Sequence, residues 1–164
     1  MDTYLPFRNG SEAEHPSFDV SDELQEVAER LEIYALRRGV QIEVDAPPYA
    51  MVTAHRSRMR QVFWHLMTLA VDATSPGGDV IVTAYQDDQG VDVEFAEGDA
   101  VILSLSDVSA RVSRAVGQRL DDVRRMLAAE DVHLQIRECA DGTRAYLLQL
   151  RHPDAPDSES RRAA

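Results

Sequence analysis

His65 is the residue whose type and setting come nearest to chemistry in this chain. It lies in Arg60–Thr74, RQVFWHLMTLAVDAT, where Val62, Phe63, Leu66, Met67, Ala70 and Ala73 recur at helical spacing and Met59 joins the pattern from just ahead. An imidazole there could accept a phosphoryl group or act as a residual base, but a half-buried helix histidine bonded to a neighbour is the plainer reading and carries more weight. A helix of this shape, followed by Ser75-Pro76-Gly77-Gly78 and a strand, often presents an amide or carboxylate to a nucleotide; here Leu69 stands one turn after His65. The other reactive types are scattered. His15, His55, His133 and His152 show no metal-ligand spacing. Cys139, the single cysteine, reads as a small core or strand residue rather than a nucleophile. Asp87, Asp88, Asp92, Glu94, Glu97 and Asp99 form an acidic run that more often marks a solvated hairpin than a site. No nucleophile elbow, phosphate-binding Walker loop or zinc motif is present. Trp64 is equally readable as a core-edge residue or as a contact anchor.

Composition narrows the partners. The 164 residues suffice for one domain with a sizeable core, and 44% are hydrophobic. The formal net charge of -12 argues against nucleic-acid or anionic-membrane binding, which need clustered Lys and Arg. It also weighs against a triphosphate unless a local basic pocket exists. One cysteine builds no internal disulfide, which fits a reducing cytosol, so a cytoplasmic location is expected. No apolar run approaches the ~20 residues of a membrane span, and MDTYLPFRNG lacks a signal-peptide pattern.

The elements that must position these residues follow from periodicity. Residues 1–17 read as a linker or arm, 18–151 as the domain and 152–164 as a disordered tail. Asp19 is a suitable N-cap for a helix to about Arg38, with Phe18 as its staple, a stripe of Leu24, Val27, Leu31, Tyr34 and Ala35, and Gly39 at its C-terminal end. Val40–Val44 alternates as a strand, and Met51–Thr53 is a short one. The second helix spans about Arg56–Thr74. Asp79–Tyr85 and Val91–Phe95 form a hairpin through Asp87-Asp88-Gln89-Gly90. Val101–Leu105 is a strand or the entry to a third helix, from about Ser109 to Ala129, striped by Val112, Val116, Leu120, Val123 and Leu127 with Met126 beside it. Val132–Arg137 and Ala145–Leu150 close the chain around Asp141-Gly142. Hairpin-paired strands with helices that each carry one apolar face predict a two-layer α/β sandwich of about 130 residues, a mixed sheet with three helices on one side.

From Phe18 to Leu150 the sequence resembles the ATP-binding domain of bacterial histidine kinases, the fold shared with gyrase B-type ATPases. Four stretches carry the resemblance: FDVSDELQEV with RRGVQIEVD, RMRQVFWHLMTLAVDATSPGGDVIVTAY, VDVEFAEGD, and VRRMLAAEDVHLQIRECADGTRAYLLQL. The resemblance implies an asparagine at the position of Leu69, whose amide helps hold Mg²⁺ and the phosphates; leucine has neither donor nor acceptor. It implies an adenine-binding aspartate near Glu97 and a glycine at Asp99. Shifting by one brings Gly98 into register but leaves Ala96 at the carboxylate position. The glycine-rich lid is replaced by AVILSLSDVSARVSRAV. The phosphate loop falls on Gly117-Gln118-Arg119-Leu120-Asp121, with Arg119 at the second glycine and Asp121 and Asp122 adding negative charge.

These departures imply a non-catalytic histidine kinase ATPase-like domain, with no cofactor, acting as an interaction module in two-component-type signalling. A response regulator or a kinase is the implied protein partner. Two alternatives stand beside it: a divergent domain that still binds ATP and Mg²⁺ with Glu97 in the adenine role, and a histidine phosphotransfer protein using His65. Family members of the phosphotransferase kind carry their histidine on a helical hairpin ahead of the domain. The residues before the first helix are too few for that hairpin, so an isolated domain or a free-standing partner is expected.

Overall fold

The computed structural model describes residues 16–98 and 106–152, with the side chains of 106–115 left undescribed. Seven strands and three helices follow in order: β1 (Ser17–Asp19), α1 (Val20–Arg37), β2 (Gln41–Asp45), β3 (Met51–Thr53), α2 (Arg56–Ala73), β4 (Asp79–Gln86), β5 (Gly90–Ala96), α3 (Ser106–Leu127), β6 (Val132–Glu138) and β7 (Arg144–Arg151). The main sheet has the order β2-β4-β5-β7-β6. Only β2 and β4 run parallel, joined by the crossover that contains α2, so the sheet is mixed. The three helices pack on one face, as the alternation of periods predicted. The small antiparallel sheet of β1 and β3 was not expected; Phe18, read as a staple, is instead the central residue of β1, opposite Val52.

Alternation along the strands sends one residue set inward. The register places Val44, Val82, Phe95, Tyr146 and Ile136 in one row across all five strands. Val82, Phe95 and Tyr146 in the middle of that row are buried. Phe63 of α2 meets Phe95 at 6.0 Å between ring centroids, seating the central helix on the middle of the sheet.

The helix ends are set by the expected residues. Asp19 accepts the Ser21 amide at 2.9 Å as the N-cap of α1. At the other end Gly39, at φ 70°, donates to the Leu36 carbonyl while Val40 donates to Ala35, a paired closure that needs the left-handed glycine. Gly39 also accepts the Gly77 amide at 2.7 Å, so the end of α1 and the turn after α2 are tied together. Tyr34, expected in the buried stripe of α1, is 37% exposed because its hydroxyl turns to Asp72. Ala73, the last residue of α2, is exposed as well. Val101–Leu105 and the side chain of Val112 lie outside the described residues.

α2 begins with Arg56, Arg58 and Arg60, three cations at the helix end where positive charge is least welcome. Carboxylates from elsewhere answer them. Glu23 of α1, 1% exposed, takes Arg56 at 2.5 Å and Arg60 at 2.7 Å, and Glu130 takes Arg58 at 2.7 Å. Burial works against the Glu23 charge, but the hydrogen bonds from Arg60 and Arg56 outweigh it and hold the carboxyl below its usual range.

Candidate functional site

α2 is the spine on which the candidate residues collect. Its C-terminal half is enclosed almost all round: Met67 through Val71 are all buried. Leu69 is 2% exposed and belongs to the main core cluster. A leucine at that depth offers only apolar surface.

One residue later in the stripe the surface changes. Asp72, unremarked in the sequence, joins all three helices. Its carboxylate accepts from the Tyr34 hydroxyl of α1 and from Arg119 Nη1 of α3 at 3.0 Å, and lies 3.4 Å from Arg38 Nε. Arg38 also sits 5.8 Å from the centroid of the Tyr34 ring and donates to the Asp72 carbonyl. Burial and the Asp72 carboxylate both push the Tyr34 hydroxyl upward, so it stays protonated and donating. The cluster puts two guanidiniums and one phenol around a single acid.

His65 lies half-buried about two turns before Asp72. Burial lowers its pKa, the Arg119 charge lowers it further, and Asp122 opposes both. The ring is therefore biased toward the neutral form.

Gly117, Arg119 and Asp121 fall inside α3, which starts at Ser106. No turn or loop opens at Gly117. A Cβ at Gly117 would meet nothing within 4 Å, so nothing there requires a glycine. Within a helix the peptide N–H groups are already used in the i to i−4 ladder, and no row of amides is left to cradle a phosphate. Asp121 pairs with Arg124 at 3.4 Å on the surface, and Asp122 with Arg125 at 2.9 Å.

Glu97 directly follows β5. Its Oε2 accepts the Arg144 amide at 2.9 Å and its Oε1 the Tyr146 hydroxyl at 2.8 Å. Burial raises its pKa, and these two bonds only partly offset that. Each oxygen thus holds one hydrogen bond within the chain and keeps a second lone pair. Gly98 donates to Thr74 Oγ1 at 2.9 Å, and a Cβ there would lie 2.7 Å from the Asp79 carbonyl oxygen and 2.7 Å from Thr74 Cγ2. The glycine is demanded by the close approach of its own backbone to the end of α2. Asp99 lies outside the described residues.

The structure thus pairs Arg119 with Asp72 across α2 and α3, and keeps Glu97 at the β5–β7 ladder. The signal for Asp72 in the sequence was slight: one acid near the end of an apolar helix, whose partners are at 34, 38 and 119. Among the described residues no group of three or more His, Cys, Asp or Glu could hold a metal ion, and no helix is long and apolar enough to cross a membrane.

No protein-family model and no curated protein sequence matches the chain. Solved structures do. The nucleotide-free catalytic domain of the histidine kinase ThkA matches with a TM-score of 0.68 at 14% identity, over 84% of this chain and 97% of that one. Full-length ShkA, crystallised in complex with AMPPNP, matches with a TM-score of 0.66 at 24% identity, over 82% of this chain and 30% of that one. ThkA in complex with the response regulator protein TrrA matches with a TM-score of 0.64 at 15% identity, over 83% of this chain and 41% of that one. At these identities the likeness establishes the fold, which is that of a histidine kinase catalytic domain.

Proposed function

We propose that this chain is a non-catalytic domain of the histidine kinase ATPase fold, working through protein contact in two-component-type signalling. The observation that carries the reading is the Arg119–Asp72 pair. It spans α2 and α3 beside the buried Leu69, where the resemblance calls for phosphates and Mg²⁺. Regular helix at Gly117–Asp121 supports the same reading, because it leaves no amide cradle. The residues present do not fit Mg²⁺-ATP.

ThkA has been crystallised with a response regulator, which makes a response regulator or a kinase the partner class to test first for this chain. A calorimetric titration of the whole chain with Mg²⁺-AMPPNP tests the nucleotide half of the reading. No saturable heat is expected at millimolar ligand. Micromolar binding would overturn the proposal and promote a working ATP-binding domain.

A further inference from the structure

The three helices cover one face of the main sheet, and among the described residues no helix packs on the other. On that outer face β4 presents Ile81 and Tyr85, four residues apart and 44% and 65% exposed. The register sets Glu43 of β2 beside Ile81 and Asp45 beside Thr83. Single exposed apolar residues need no explanation, but the charges around these two are unevenly answered. On the β5 side Asp92 and Glu94 are met by Arg151 at 3.6 Å and Arg137 at 3.8 Å. On the β2 side, among the described residues, neither Glu43 nor Asp45 has a basic partner. A shallow cavity of about 620 Å³ opens where the two strands end, with Asp45, Pro47, Tyr85 and Asp87 in its wall.

We infer that this β2–β4 face is a docking surface for a protein partner that presents arginine next to apolar side chains. Arginine matches each component. Its planar guanidinium stacks on an aromatic ring and takes a carboxylate from two N–H donors at once. Its apolar neighbours would cover Ile81. The acid left unpaired on β2 supplies the complementary charge, and the chain's net charge of -12 adds long-range attraction for a basic partner. The same charges disfavour nucleic acid, anionic lipid and a second copy docking through the same face. The inference goes beyond the proposed function and does not depend on nucleotide: AMPPNP binding would overturn that function and leave this assignment standing.

The test uses the whole ¹⁵N-labelled chain and two synthetic peptides of equal length, one alternating arginine with leucine and one alternating glutamate with leucine. Amide shifts are followed by NMR. The arginine peptide should saturate shifts confined to β2, β4 and the turn at Pro47, with affinity falling as salt is raised. Glu43→Lys with Asp45→Lys, and separately Tyr85→Ala, should each weaken it at least tenfold while thermal melting stays near wild type. Absence of saturable binding overturns the assignment. Equal binding of the glutamate peptide, shifts centred on α1 or α3, or indifference to all three substitutions would do the same.

Discussion

Arg119 of α3 holds Asp72 of α2 at 3.0 Å, and both side chains are only partly exposed, at 39% and 30%. The pair lies far apart in sequence and joins two helices. Partial exposure limits its worth. A double-mutant cycle with Asp72→Asn and Arg119→Gln should give a coupling of about 0.5–1 kcal/mol in low salt. Urea unfolding at two ionic strengths checks it, since the coupling must shrink as salt is added. A coupling indistinguishable from zero at low salt would remove the bridge from the account of the site.

Glu23 and Glu97 should move acid stability in opposite directions. The native pKa of Glu23 is below its ordinary value of 4.5, so the unfolded chain binds its proton first. The stability it contributes is present above that value and is lost as pH falls through the lowered native pKa. The native pKa of Glu97 is raised above 4.5, so its contribution is present below that value and lost as pH rises through the native pKa. Urea unfolding between pH 3 and 6 should therefore show a shallower acid-side fall for Glu23→Gln than for wild type, and a steeper one for Glu97→Gln. Parallel profiles for the two variants would contradict these assignments.

Gly98→Ala should destabilise the domain by about 1–3 kcal/mol, the usual cost of forcing an extra carbon into packed surroundings. The new Cβ would have to displace the Asp79 carbonyl or the Thr74 methyl, each 2.7 Å away, and the Thr74–Gly98 hydrogen bond with it. Thermal melting reads this directly. A variant as stable as wild type would mean that β4 and the end of α2 stand farther from Gly98 than described.

The helices and the main strands were legible because each carries a repeating apolar pattern with a punctuating residue at its end. Asp19, Gly39 and the Asp87–Gly90 turn each do in the structure what their types suggest. β1 was not legible: three residues hold no periodicity, and Phe18 next to an N-cap has a local explanation. Tyr34 was misplaced because its spacing fits the buried stripe, while its hydroxyl has a partner 38 residues away. The candidate site divides the same way. Leu69 could be placed by its period alone, whereas the Asp72 cluster exists only once three helices have been packed.

Tyr49 supplies a test of strain. It is 78% exposed and holds φ at 62°, where a side chain other than glycine's is disfavoured. Its amide donates to Asp19 Oδ2 at 3.0 Å while Ser21 bonds the Pro47 carbonyl, so the loop is pinned to the start of α1. Tyr49→Gly relieves the left-handed cost and gives up little packing. A gain of about 0.5–1 kcal/mol in unfolding free energy is expected, reduced by the added freedom of glycine in the unfolded chain. A clear loss of stability would show that the ring makes contacts which its exposure conceals.

Leu69→Asn is the most direct trial of the eroded-site reading. The leucine is 2% exposed, and burying such a side chain stabilises the fold by about 1.5–3 kcal/mol. The polar groups one turn away on the helix are His65 and Asp72, and the Asp72 carboxylate is already engaged by Tyr34, Arg38 and Arg119, so an amide at 69 competes for a partner that is already held. Leaving it unsatisfied costs about 1–3 kcal/mol more. The substitution restores a polar group but leaves Arg119 on Asp72 and regular helix at Gly117. The variant should therefore unfold several degrees below wild type and still give no saturable heat with millimolar Mg²⁺-AMPPNP. Adding Arg119→Gly removes one guanidinium and loosens α3 without creating an amide cradle, so the double variant should fail as well. Saturable nucleotide binding by either variant, accompanied by a rise in melting temperature, would show that the site is one or two residues from function and that its loss is shallower than the helix packing indicates.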